Sequence, residues 1–168
     1  MRGALPLSAA ASVVLFAALA VLSKGWLEPA GQVIFDARLA GYGVAEAAAY
    51  LGALTEEGRK LYLGLYRVLD TLLPLCLSLT LALLIGQLCT GGRLLRALLL
   101  LLPLVYLGAD LGENAAVARL LAAPGGVDAG RVAVASSLTQ LKWLSLAACL
   151  MAIAGGWLGG RARRRGAA

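Results

Sequence analysis

The sequence predicts an all-α integral membrane protein: a bundle of four transmembrane helices, with a short amphipathic helix in the first extracytoplasmic loop. Two compositional facts and one pattern carry this. Hydrophobic residues make up 61 % of the 168 and charged residues only 14 %, against roughly 45–50 % and about 25 % in soluble domains. A soluble fold of this size could not hide so much leucine and alanine, and the remaining surface would aggregate. The pattern is a set of four apolar runs, each long enough for a hydrocarbon core of roughly 30 Å. No internal repeat or long linker divides them, so residues 1–168 read as a single membrane domain.

The first span is expected over 5–22. Arg2 and the small residues Ala18 and Ala20 give it some signal-peptide character, but the basic leader is thin, and an uncleaved span is the reading taken. Residues 23–54 break the pattern with Gly, Pro, Asp and Glu. Gly41-Tyr42-Gly43 reads as a turn, and Val44, Ala47, Ala48, Leu51 and Leu54 then share one helical face with Glu46 off it. That short helix should lie on the membrane or the top of the bundle. Thr55 followed by Glu56 and Glu57 starts a helix, an N-cap with acids in its first turn. The second span lies within a long helix over 55–89. Pro74 should kink it, and its charged start should lift Arg59 and Lys60 into the headgroups. Thr90-Gly91-Gly92-Arg93 is a turn, the third span covers 97–121, and Pro124-Gly125-Gly126 closes it. The fourth covers 132–158, leaving a basic tail over 159–168.

With four spans both termini share a side. That side collects Arg2, Arg93, Arg96 and the tail arginines 161, 163, 164 and 165, without an acid. On the other, Lys24, Arg38, Arg59, Lys60 and Arg131 are diluted by Glu28, Asp36, Glu46, Glu56, Glu57 and Asp128. Both termini are therefore expected in the cytoplasm. The net charge of +6 then reflects anchoring to anionic lipid headgroups, and a nucleic-acid partner is not expected.

Histidine is absent. That removes His-ligated haem, the usual zinc sites, Ser-His-Asp triads and imidazole relays. Cys76, Cys89 and Cys149 form no C-x-x-C pair and read as small buried hydrophobes. No metal and no cofactor is expected, and acid–base work falls to Asp, Glu, Lys, Tyr or Cys.

Against this background the polar residues inside the spans stand out. A lone ionised Asp at a helix centre costs about 2.5–3.5 kcal/mol on the insertion scale, yet Asp110 and Glu113 both lie in the third span. At 100° per residue Tyr106, Asp110, Glu113, Asn114 and Val117 share a face. Gly108, Gly112 and Ala115 lie opposite, and Gly108-x-x-x-Gly112 is a close-packing pattern, so the third helix should be central. Ser8-x-x-x-Ser12 and Gly155-x-x-x-Gly159 read as ordinary packing. Lys142, at similar depth in the antiparallel fourth span, is the expected counter-charge, flanked by Thr139 and Ser145. The second span adds Tyr66, Arg67, Asp70, Pro74 and Ser78 along one stripe. Pro74 lacks an N–H, so the Asp70 carbonyl loses its helical partner and should face a polar cavity with the carboxylate.

A purely structural reading competes: Asp70, Asp110 and Glu113 could pair with Arg67, Arg119 and Lys142 and pin helices together, with the two arginines snorkelling outward. The surplus of adjacent carboxylates favours a site. The leading expectation is a buried acidic site that binds a lipophilic small molecule or a membrane lipid. Asp110 and Glu113 are its catalytic or proton-transferring centre, if a reaction occurs at all. Tyr106, Asn114, Lys142, Asp70, Tyr66 and Arg67 are its ligand-binding residues. The alternatives are a small proton-coupled transporter or channel, oligomeric in that case, and a non-catalytic accessory subunit. Whether the chain is an enzyme, or a homo-oligomer, is left open by the sequence.

Overall fold

The computed structural model describes residues 3–89, 92–123 and 127–166, with side chains as far as Ala162. The expected turns at Thr90-Gly91 and Pro124-Gly125-Gly126 fall outside the described residues, as do the side chains of Arg163, Arg164 and Arg165.

Six α-helices make the frame: α1 Ala4–Leu22, α2 Val44–Ala53, α3 Glu56–Leu61, α4 Arg67–Leu88, α5 Arg93–Leu121 and α6 Ala129–Gly166. Four stretches are long and apolar enough to cross a membrane: Ala4–Leu27, Glu56–Leu88, Arg93–Leu121 and Ala129–Ala162. Their outer faces carry large apolar side chains at high exposure, among them Leu7, Phe16, Leu94, Leu144 and Met151. A soluble monomer rarely shows such a surface.

Each boundary has a local cause. Thr55 accepts a hydrogen bond from the Gly58 N–H at 3.0 Å, the cap expected from the sequence. Asp128 accepts one from the Arg131 N–H at 2.8 Å at the start of α6. Between α3 and α4 the helix loosens into a π turn over Tyr62–Tyr66, and the backbone departs from helical geometry at Gly64 (φ −99°, ψ −109°). The abrupt break therefore lies at Gly64, ten residues before Pro74, which sits inside a continuous α4. The fourth helix also outruns its expected end, staying helical through Gly166 where a tail was expected from residue 159.

Packing runs in the order α1, α4, α5, α6. α4 holds α1 on one side and α5 on the other, α6 lies along α5 and also meets α4, and α1 does not pack along α6. Ser8 and Ser12 are buried, and Thr80 of α4 donates to the Ser8 hydroxyl at 2.9 Å. The glycine pattern on α5 behaves differently from the expectation. A Cβ at Gly112 would touch Leu138 of α6, but one at Gly108 would meet open space. On α6 it is Gly156, not Gly155 or Gly159, that makes the close approach, against the Leu88 backbone.

Residues 23–54 fold back as a strap across one end of the bundle. α1 runs on through a π turn, Ser23–Leu27, and a 3-10 turn at Phe35–Ala37 dips inward before α2. Leu27, Phe35, Tyr42, Ala47 and Tyr50 bury against Tyr62, Val117, Leu120 and Ala135 of the helices. The buried face of α2 is thus Ala47, Tyr50 and Leu54. Val44 and Ala48, which share the apolar face read from the sequence, are exposed, while Tyr50 is buried and its hydroxyl donates to the Leu27 carbonyl at 2.7 Å. A smaller cluster of Leu81, Ile85, Cys89, Tyr106 and Cys149 fills the half of the bundle nearer the termini.

Candidate functional site

α6 positions the strap with one stripe and the bundle with the next. Ser136, Gln140 and Trp143, spaced i, i+4, i+7, take the strap. The Tyr42 N–H donates to Ser136 Oγ at 2.9 Å, Gln140 Nε2 donates to the Ala40 carbonyl at 2.7 Å, and Trp143 Nε1 donates to the Asp36 carbonyl at 3.0 Å. Gly41 lies between the first two with φ +81°, and a Cβ there would fall 2.6 Å from Ser136 Oγ. Arg38 completes the strap: its guanidinium donates to the Val33 carbonyl and lies 5.6 to 5.8 Å from the Phe35, Tyr42 and Tyr50 ring centroids. Burial keeps the Tyr42 and Tyr50 hydroxyls protonated above the ordinary tyrosine range, with Glu113 the next cause at Tyr42 and Asp36 at Tyr50.

The neighbouring stripe, Ala135, Thr139 and Lys142, faces inward. Lys142 forms an ion pair with Glu113 of α5 and lies 3.7 Å from Asp36 of the strap. Thr139 donates to Glu113 Oε1 at 2.5 Å, and Tyr62 donates to Asp36 Oδ2 at 2.6 Å. Glu113 is wholly buried, and Asp36 and Lys142 nearly so. The counter-charge read from the sequence therefore exists, and of the two α5 acids it serves Glu113.

Asp36 is the residue the sequence reading misplaced. The sequence suggests a surface charge of the first loop, but Asp36 is 7 % exposed and closes the lysine's carboxylate pair. A signal was present: the apolar run Val33-Ile34-Phe35 leads straight into it, too hydrophobic for a free loop. Arg59 has a bonding role that the sequence does not show. Its guanidinium donates to the Leu121 carbonyl at the end of α5, an acceptor with no partner within its own helix.

Beside this network lies a cavity of about 340 Å³. Its polar lining includes Asp70, Asp110, Tyr66, Tyr106 and Lys142, and its apolar walls come from Phe16 and Leu19 of α1, the strap, Leu73 and Leu77 of α4, and Leu146 of α6. Asp110 is 4 % exposed, and its Oδ1 has no hydrogen-bond partner among the described residues. Asp70 is 6 % exposed and forms no ion pair among them. Four carboxyls thus gather around one ammonium group.

The remaining expected residues separate from the cavity. Asn114 Nδ2 donates to the Asp70 carbonyl at 3.1 Å. That is the acceptor freed by Pro74, so the amide repairs the helix where a polar cavity was expected to do so. Arg67 is exposed and lines a separate small crevice with Asn114. Arg119 is exposed as well, and neither arginine pairs with a buried acid among the described residues. All three cysteines are free thiols. No protein family, curated protein or solved structure matches the chain.

Proposed function

We propose that the four long apolar helices span a membrane and that the cavity binds a lipophilic small molecule or a single-chain lipid, loaded sideways between α1 and α6. The observation that carries this is the cavity: largely apolar walls, with two buried carboxyls in its lining, one of which keeps an oxygen without a hydrogen-bond partner among the described residues. Ligand pockets run from about 300 to 1,000 Å³ and combine apolar lining with a few convergent polar groups. The side opening follows from the packing order, since α1 and α6 border the cavity without packing along one another.

The strap end faces outward and both termini face the cytoplasm, a reading that the distribution of basic residues supports. Moving Asp36 inward leaves five acids on the strap side and none among Arg93, Arg96 and Arg161, so the bias stands. The termini half is filled by Leu81, Ile85, Tyr106 and Cys149, which supports a one-sided binding site over a through-pathway for protons. Proton transfer, if the site performs it, falls to Asp110 and Asp70 on the cavity. Glu113 is held by Lys142 and Thr139.

Trp143 lines the cavity and reports on it. With Trp26 and Trp157 changed to Phe, in lipid nanodiscs, brominated single-chain amphiphiles should quench Trp143 fluorescence saturably. Ala20→Phe combined with Leu73→Phe, which fills the cavity, should abolish the saturable component. Quenching that rises linearly and equally in both proteins, as plain partition into the bilayer would give, overturns the reading.

A further inference from the structure

The binding reading leaves the charge of the ligand open, and the chain's own charge arithmetic bears on it. Asp36, Asp70, Asp110 and Glu113 are four buried carboxyls, and Lys142 is the only buried basic residue among the described residues. Lys142 is engaged by two of the four. The other two, Asp70 and Asp110, line the cavity, and Asp110 Oδ1 is buried without a hydrogen-bond partner among the described residues. Arg67 and Arg119 face outward, and Lys24, the other base that lines the cavity, is exposed and paired with Glu28. A neutral cluster therefore needs either protons on Asp70 and Asp110 or positive charge from outside the chain.

An inorganic cation suits the site poorly. No three acid, cysteine or histidine side chains among the described residues are gathered closely enough to ligate a metal ion, and small hard cations need several oxygens in one shell. The walls are hydrocarbon, and Tyr66 and Tyr106 border the carboxyls. Carboxylate, aromatic ring and apolar wall together are the complement of an organic ammonium group on a hydrocarbon chain. Lys142 does not defeat this, because its charge lies between Asp36 and Glu113.

Resting on the binding reading above, we propose that the cavity selects a lipophilic ammonium, a protonated long-chain amine or the aminoethyl headgroup of a single-chain lipid. Its nitrogen lies against Asp110 and Asp70, and its chain passes out between α1 and α6. The site discriminates against neutral and anionic headgroups on the same chain.

The test uses the full-length protein with Trp143 as sole tryptophan, and brominated stearyl chains that differ only in headgroup. Stearylamine should quench with an apparent affinity about tenfold above stearyl alcohol, equivalent to ~1.4 kcal/mol, and stearate should be weakest. Asp110→Asn should erase the amine preference, and Asp110→Glu, which keeps the charge, should restore most of it. That pair keeps the test decisive should one variant fold poorly, and Asp70→Asn supplies a third. Unlabelled lysophosphatidylethanolamine that displaces the amine identifies a lipid source. Unlabelled hexadecylamine that displaces it where the lysolipid does not identifies a free amine. Equal quenching by amine and alcohol, or a preference for stearate, overturns the ammonium assignment while leaving the pocket intact. Saturable quenching by none of the three overturns both.

Discussion

Glu113 and Asp110 lie one turn apart on the same face of α5, and the fold uses them in opposite ways. Glu113 is enclosed: Lys142 and Thr139 hold its oxygens, and through the lysine it reaches Asp36 and the strap. Asp110 is nearly as buried and lines the cavity, and its Oδ1 has no hydrogen-bond partner among the described residues. One carboxyl joins three elements of the protein, and the other lines the cavity with an oxygen that no described residue satisfies. Burial of an acid in an apolar span is thus not one signal but two, separated by whether the chain itself provides the counter-charge.

The comparison breaks most visibly at Lys142. Lys142→Met leaves Glu113 and Asp36 buried without their cation, and removing one partner of a buried ion pair costs about 3–5 kcal/mol. The expected outcome is a sharp fall in the detergent-solubilised protein's unfolding midpoint. Glu113→Gln added to Lys142→Met should recover part of that loss, since one of the two stranded carboxylates is gone. A single Lys142→Met variant as stable as the parent would show that the triad contributes nothing.

A smaller effect belongs to the strap. Gly41 has φ +81°, a conformation that side chains resist, and a Cβ there would crowd Ser136 and Gln140 as well. Gly41→Val should cost about 1–3 kcal/mol. It should free the strap from Ser136 and Gln140 of α6 without disturbing α4 or α5. Proteolysis between residues 37 and 44 reads this out, and unchanged resistance would remove the strap from the account.

The two carboxyls also mark how far the sequence could be read. The third-span stripe of Tyr106, Asp110, Glu113 and Asn114 was legible because helical periodicity places residues on a face whatever they meet there, and all four are buried. Lys142 was legible from depth alone. Asp36 was not, because nothing in a loop's local pattern states which way it folds, and only long-range bonds from Trp143 and Tyr62 fix it. Asn114 was legible as buried and polar. Its role required knowing that α4 lies alongside, with the carbonyl that Pro74 had freed turned toward it.

The smallest expected effect is the most discriminating. Asp110→Asn removes a charge with no ionic partner among the described residues and keeps the side chain's volume. Its ligand-free stability should change by less than ~1 kcal/mol, because no internal pair is broken and the amide is less costly to bury than a carboxylate. Glu113→Gln, by contrast, strands Lys142 with Asp36 alone at 3.7 Å and should lower stability by about 3–5 kcal/mol. Measured side by side in detergent, the two variants ask whether α5 carries one structural and one functional acid. Equal losses would mean that Asp110 has a partner within the fold, and the empty volume beside it would then be incidental.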